Sequence, residues 1–234
     1  MAKLKKANCA ADLRARILRQ DLAPGSDLDE VRLADEYGIS RTPLRDVLHR
    51  LAAAGYVRIE ENRGAKVESM DLSVLRVFFQ TAPLVYSSIA RQAAENRSAT
   101  QVARLKEIQT EFAAAARAGE ASKAGLLNHL FHEKIGEMAQ NPYLMASLMR
   151  MLVDHTRLSQ TFFDPKSPDD VDRVKKAIDQ HEAMISAIDA REPSLAIDLT
   201  LQHWELSRDQ LEKFVRPDPL PIDVIAMKDR RSAV

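Results

Sequence analysis

A single cysteine, Cys9, occurs in 234 residues. That excludes an intrachain disulfide and a cysteine-based zinc site, and it fits a reducing, cytoplasmic setting. An excess of one charge is also lacking, since 34 basic and 34 acidic residues give a formal net charge of zero. Division after Met70 changes little, with 13 basic and 11 acidic residues up to that point and 21 and 23 beyond it. Any affinity for nucleic acid must come from local placement of cations rather than from a bulk field. Long apolar runs are missing as well. The opening MAKLKKANCAADLRARIL has cations but no apolar core of signal-peptide length, and Leu144 to Val153 is broken by Arg150. Neither an export signal nor a bilayer span is therefore expected. There is no internal repeat, and the length suits one or two domains.

Against these absences stands one densely punctuated stretch, Gly38 to Gly64, GISRTPLRDVLHRLAAAGYVRIEENRG. It reads as a tight turn, a helix, a glycine stop and a β-hairpin. Ser40 is placed to cap the helix by accepting a backbone N–H bond, Pro43 sits in the first turn, and Gly55 ends the helix. Leu44, Val47, Leu48 and Leu51 recur at helical spacing and predict a buried stripe. Thr42, Arg45, Asp46 and His49 face the other way, with Arg41 beside them. The wing is expected as a strand over Val57–Glu60, a turn over Glu61–Gly64 and a return strand over Lys66–Glu68. Upstream, Ala10–Gln20 reads as a helix with Leu13, Ile17 and Leu18 on one face, and Pro24-Gly25 as a turn. Asp27 with Glu30 has the spacing of a capping box, opening a short helix to Tyr37 that turns Leu33, Ala34 and Tyr37 inward. Three short helices and a hairpin make a winged helix-turn-helix. An outward arginine near a helix N-terminus reaches guanine O6/N7 or a phosphate, and Thr42 offers a methyl to thymine or a hydroxyl to the backbone. A solvated charged face explains most surface arginines; the order of the elements is what favours DNA here.

Beyond Met70, helical periodicity runs to Phe214 with few glycines and no β-type alternation. Six helices are expected: Leu72–Glu95, Ala99–Ala118, Ser122–Gln140, Pro142–Phe163, Pro168–Ala190 and Glu192–Phe214. Pro83 falls inside the first and is expected to kink it. Short connections predict antiparallel neighbours. The fold class is thus mainly α, with a winged helix-turn-helix and small β-hairpin wing over residues 1–70, an all-α antiparallel bundle over 71–215 and a tail over 216–234. Pro217, Pro219 and Pro221 preclude a helix in the tail, while Ile222, Val224, Ile225 and Met227 are too apolar for a free end. The tail is expected to lie extended against the protein.

Histidines occupy apolar stripes in the bundle. His132 shares a face with Asn128, Ile135 and Ala139; His181 lies among Ala177, Ile178, Ile185 and Ile188; His203 lies among Ala196, Leu199 and Leu206. Three converging neutral imidazoles can hold a metal. A buried histidine is, however, more often a hydrogen-bonded core residue, and His155 also lies on a stripe, so periodicity does not choose three histidines out of four.

Leu22 to Leu28 (LAPGSDL), Leu33-Ala34, Gly38 to Arg45 (GISRTPLR), Arg50-Leu51, Gly55-Tyr56-Val57 and Arg63-Gly64 together resemble the DNA-binding domain of GntR-family transcriptional regulators, over nearly all of residues 10–68. The resemblance implies DNA contacts from Arg41, Thr42 and Arg45 and from the wing tip at Asn62, Arg63 and Gly64. Val31 stands where the FadR branch has an arginine on the second helix that can touch DNA. The helical part, with Asn128-His-Leu-Phe-His132, His181-Glu-Ala-Met-Ile185 and His203 in this order, is similar to the FCD ligand-binding domain of that branch. Many members hold a divalent metal there with an aspartate and three histidines. The matching positions are Asn128, His132, His181 and His203, and Asn128 ligates through a carbonyl oxygen without adding negative charge, so weaker retention is expected. Such donors suit Zn²⁺ or Ni²⁺. His129 is implied to be a neighbour of the site. Thr81 and Val85 stand near positions where the family often has an arginine and a glutamate, so a cation for gripping a carboxylate effector is missing.

These readings describe a cytoplasmic, homodimeric repressor, not an enzyme, that binds double-stranded operator DNA at an inverted repeat and responds to a small-molecule effector, an organic acid bound at the metal. No membrane partner is expected. The rivals are a metal-dependent, hydrolase-like bundle and a regulator with a purely structural metal. Glu133 and Glu182, adjacent to ligand candidates in sequence, point about 100° away from them by helix geometry, which disfavours a metal-assisted hydrolase.

Overall fold

The computed structural model describes residues 2–61 and 63–215. The wing-tip residue Asn62 and the tail over 216–234, expected to lie extended, fall outside the described residues. The chain begins with α1 (Ala2–Leu18), β1 (Asp27–Leu28), α2 (Glu30–Tyr37) and α3 (Arg41–Ala53), followed by β2 (Val57–Glu60) and β3 (Gly64–Val67). Leu44, Val47, Leu48 and Leu51 of α3 are buried as their spacing predicts, against Leu13 and Ile17 of α1 and Leu33 of α2.

Four local expectations are corrected here. Helix α1 starts at Ala2 rather than Ala10, because Cys9 continues the buried Leu13–Ile17 stripe and Lys6 Nζ reaches Asp46 Oδ2 at 2.7 Å. Asp27 belongs to no capping box. It lies in β1 opposite Lys66, and Asp29 caps α2 instead, its Oδ1 accepting from Val31 N at 2.9 Å and Arg32 N at 3.1 Å. Ser40 is at the N-cap of α3 with extended backbone, yet its hydroxyl accepts no amide. Pro43 occupies the third helical position and so lacks one of the two N–H groups that a serine cap can reach. The wing hairpin gains β1 as a third strand, giving the antiparallel order β1-β3-β2 with β3 central and Val57 opposite Val67.

Six helices follow: α4 (Leu72–Asn96), α5 (Ala99–Arg117), α6 (Ala121–Ala139), α7 (Pro142–Phe162), α8 (Pro168–Asp189) and α9 (Pro193–Val215). Each bound lies within one residue of its expected position. The chemistry of the breaks explains this, with a reciprocal Ser98–Gln101 capping box on α5, Asn141 and Pro142 opening α7, and Ser167 and Pro168 opening α8. Pro83 lies inside α4. Helix α4 packs on α6, α7 and α9 through Phe78, Ala82, Tyr86 and Ile89, while Leu72, Val77 and Leu84 remain exposed. By length and composition alone α4 is apolar enough to cross a membrane, which corrects the expectation that no segment would be.

The two cores touch through α7. Val153 joins the core of the N-terminal unit, and the fully buried Arg157 donates to Glu68 O at 2.7 Å and Ser69 O at 3.3 Å while also bonding Asp154 Oδ1. Gln20 Nε2 donates to Arg157 O at 2.6 Å. Arg150 lies over Gly55, where φ of +79° already requires glycine and an added Cβ would fall 2.2 Å from Arg150 Cδ.

Candidate DNA-binding face and candidate metal centre

Helix α3 carries Arg41, Thr42 and Arg45 on its exposed side, and the wing carries exposed Arg63 beside half-buried Gly64. Arg45 and Gly64 line one groove together with His49, Glu30, Glu60 and Glu61. The groove is thus acidic as well as basic. Arg45 Nε donates to Glu30 Oε2 at 2.9 Å, so the outward arginine is held by a carboxylate from α2. Lys5 Nζ donates to Gly38 O at 3.2 Å, and with Lys6 on Asp46 this brings cations of α1 next to the turn before α3. Val31 is exposed and offers no cation at that place on α2.

In the bundle, one ligand atom from each of His132, His181 and His203 lies within 4.8 Å of the others, and all three are buried. His155 is buried beside His132 but is engaged differently, its Nδ1 sharing a 2.9 Å hydrogen bond with the Tyr86 hydroxyl. His129 Nδ1 pairs with Thr156 Oγ1 at 2.7 Å.

Hydrogen bonds set the tautomers of two members of the triad. Gln109 donates Nε2 to Ile178 O at 3.1 Å, which turns its Oε1 toward His181 Nδ1 at 3.0 Å. A carbonyl oxygen only accepts, so His181 carries its proton on Nδ1 and presents a bare Nε2. His203 Nδ1 meets Gln180 Oε1 at 3.0 Å with the same consequence. The two Nε2 atoms face each other at 3.3 Å. Two lone pairs at that distance repel unless something positive lies between them. A proton is a poor candidate, because burial pushes His203 down to about 4 and holds His181 and His132 well below the ordinary imidazole value, with neighbouring histidines adding to the effect on the latter two.

Among the described residues, five buried side-chain polar atoms lack a hydrogen-bond partner, and two of them are His132 Nε2 and Asn128 Oδ1. Asn128 Nδ2 donates to Ser159 Oγ at 3.2 Å, which leaves the carbonyl oxygen as its unsatisfied end. Asn128 Oδ1 and the Nε2 atoms of His181 and His203 thus each present an electron pair without a donor, and His132 Nε2 is buried beside them without a hydrogen-bond partner. Such a set fits a divalent cation, with amide oxygen and imidazole nitrogens as donors and two glutamines fixing the rings.

A cavity of about 240 Å³ adjoins this cluster. Asn128, His155, Ser159 and His203 contribute to its lining, as do Phe78, Phe79 and Trp204, and Gln20 and Met70 join it from the N-terminal side.

Comparison with known proteins agrees with this architecture. Residues 5–67 match the bacterial regulatory proteins of the gntR family, and residues 84–206 match the FCD domain. The chain belongs to the GntR family. Among GntR-family relatives, the Nta operon transcriptional regulator of Aminobacter aminovorans is 24% identical over 195 residues, covering 82% of this chain and 88% of that protein. The transcriptional repressor RspR of Escherichia coli is 23% identical over 195 residues, 81% and 83% of the two chains. The gluconate operon transcriptional repressor of Bacillus licheniformis is 23% identical over 206 residues, 87% and 83%. Among solved structures, E. coli McbR/YncC shares the fold with a TM-score of 0.77 at 18% identity, over 91% of this chain and 99% of that one. As a GntR-family protein with an FCD domain, the chain is a transcriptional regulator.

Sequence reasoning missed Glu30, Lys5 and Lys6 beside the candidate DNA-binding residues of α3, and Gln109, Gln180 and Ser159 around the histidines. Gln109 is 1% exposed beside Ile108 and Phe112, so its place on a buried stripe was the available signal.

Proposed function

We propose that this GntR-family regulator is a homodimeric repressor of the FadR branch that releases operator DNA when a small-molecule effector enters the cavity beside a metal-bound histidine cluster. The winged helix-turn-helix over residues 1–70 reads double-stranded DNA at an inverted repeat through Arg41, Thr42, Arg45, Arg63 and Gly64. The bundle over 71–215 holds the metal through Asn128, His132, His181 and His203. The carrying observation is the pair of bare Nε2 atoms of His181 and His203 at 3.3 Å, next to a cavity that the N-terminal unit itself helps to wall.

A bound Zn²⁺ or Ni²⁺ would supply positive charge for an effector carboxylate. The residues of the chain do the rest. Gln109 and Gln180 orient the imidazoles, Ser159 lines the cavity, and Gln20 and Met70 expose the N-terminal unit to whatever fills it. Because Arg157 grips the carbonyls of Glu68 and Ser69 and accepts from Gln20 through its own carbonyl, a ligand that shifts α7 changes how the winged unit is held. Leu72, Val77 and Leu84 on the outer side of α4 suit a dimer surface. Repression is supported by the relatives named repressors. A binding role is favoured over catalysis because the histidine group contains no carboxylate among the described residues and Glu182 is exposed. In the cell such a regulator works in the cytoplasm.

Footprinting on the DNA upstream of the chain's own gene tests the reading. Two protected half-sites related by two-fold symmetry are expected, and binding that is equal on scrambled DNA would overturn it.

A further inference from the structure

Among the described residues, the lining of the cavity beside the histidines contains no lysine or arginine, which is unusual for a carboxylate site. The buried guanidinium of Arg157 is already committed to Glu68 O, Ser69 O and Asp154. Asn128 and Ser159, which bond each other at 3.2 Å, and His203 of the histidine group are among the cavity's few polar side chains. Most of the remaining lining is aromatic or aliphatic, with Gln20, His155 and Thr161 as its other polar side chains. Phe78 and Phe79 stand edge to face with ring centroids 5.2 Å apart, and Trp204 closes the group at 5.4 Å from Phe78 and 5.9 Å from Phe79. The volume of about 240 Å³ is below the roughly 300 Å³ at which ordinary ligand pockets begin.

We infer that the cavity selects a small monocarboxylate with a compact apolar body, its carboxylate toward Asn128 and His203 and its body against Phe78, Phe79 and Trp204. This deepens the effector reading above and rests on it. A second carboxylate would have no cation to pair with and would be desolvated against phenyl rings. Several hydroxyls of a polyhydroxy acid would lose water against the mostly apolar lining, which is where a hydrogen-bonding ligand is penalised most. An apolar body of one ring's size instead adds an edge-to-face contact and removes apolar surface from water.

Calorimetric titration of the full chain, supplied with an equivalent of Zn²⁺, tests this with 3-phenylpropionate, cyclohexanepropionate, succinate and gluconate as probes. The two ring-bearing monocarboxylates are expected to bind at least about tenfold more tightly than the other two, a ratio in the range that burying a few methylene-sized groups supplies. Succinate or gluconate binding as well as they do, or no binding of either ring-bearing acid, overturns the inference. A half-buried position allows a second test without loss of the fold. Phe79→Arg places a cation in the wall, and with an unchanged melting temperature it should weaken 3-phenylpropionate and strengthen succinate. If the variant leaves both unchanged, the ligand does not lie against Phe79 and the proposal fails. Operator binding measured on the same preparations separates the two levels. Specific DNA binding relieved by gluconate keeps the repressor reading and sinks this one, whereas absence of specific DNA binding sinks the reading it rests on.

Discussion

Arg45 Nε donates a 2.9 Å hydrogen bond to Glu30 Oε2, tying the exposed face of α3 to the first turn of α2. The arginine is 62% exposed while Glu30 is only 18% exposed, so the carboxylate is the fixed partner and the guanidinium the adjustable one. An exposed pair of this kind contributes little to stability, and its effect is on where Arg45 points. Arg45→Ala should cost about 1–3 kcal/mol on operator DNA and less on scrambled DNA. Glu30→Gln should strengthen binding to both by removing a carboxylate that faces phosphates, and should narrow the difference between them. Fluorescence anisotropy on the two DNAs reads this directly; an equal loss on both for Arg45→Ala would make Arg45 a phosphate contact only.

The two glutamines behind the triad make a separate prediction. Gln109→Ala and Gln180→Ala should each lower zinc affinity roughly 10–100-fold, the usual effect of removing a group that orients a ligating histidine. Competition with a chelating dye measures it. Unchanged affinity in both variants would mean that the imidazoles are held by packing alone.

The junction between the units depends on a buried ion pair. Asp154→Ala leaves the guanidinium of Arg157, fully buried, with carbonyl partners but no counter-charge. Removal of one member of such a pair costs about 3–5 kcal/mol. Chemical denaturation should show a loss of that size, and a loss below about 1 kcal/mol, the scale of an exposed pair, would show that water reaches Arg157.

The response to pH follows from the same burial. His129 and His203 are pushed down to about 4 and His155 to about 3, from an ordinary 6.5. These groups bind protons more readily in the unfolded chain, so their contribution is fully present above pH 6.5 and is lost as pH falls through the folded values. Cys9 acts at the other end. Burial and the nearby Asp12 and Glu36 raise its thiol from 9.0 to about 11, so stability is complete below pH 9 and falls as pH rises toward 11. Melting temperatures of chelated protein should therefore decline on both sides of a neutral plateau. A melting temperature that is flat from pH 7 to 4 would contradict the acid limb.

Much of the fold was legible because its signals are local. The stripe of Leu44, Val47, Leu48 and Leu51, and the caps at Ser98, Asn141 and Ser167, act within one or two helical turns. What escaped depends on residues distant in the chain. Asp27 looks like a cap until Lys66 and Ala65 recruit residues 27 and 28 into a strand. The burial of Arg157 has no local signal, because the carbonyls that hold it belong to Glu68 and Ser69, far away in the chain. The histidines were identifiable as buried, but periodicity did not separate His155 from the triad. The partner of each ring does, with Tyr86 on His155 and glutamine carbonyls on His181 and His203.

The metal centre is the claim on which effector control rests, and elemental analysis of wild type, His181→Ala and His203→Ala after loading with Zn²⁺ and removal of excess tests it most directly. The account predicts about one ion per chain in the wild type, as for a site of three imidazoles and an amide oxygen, and almost none in either variant, while operator affinity changes far less. No retained ion in the wild type, or equal retention in all three proteins, would contradict it and leave His132, His181 and His203 as core residues.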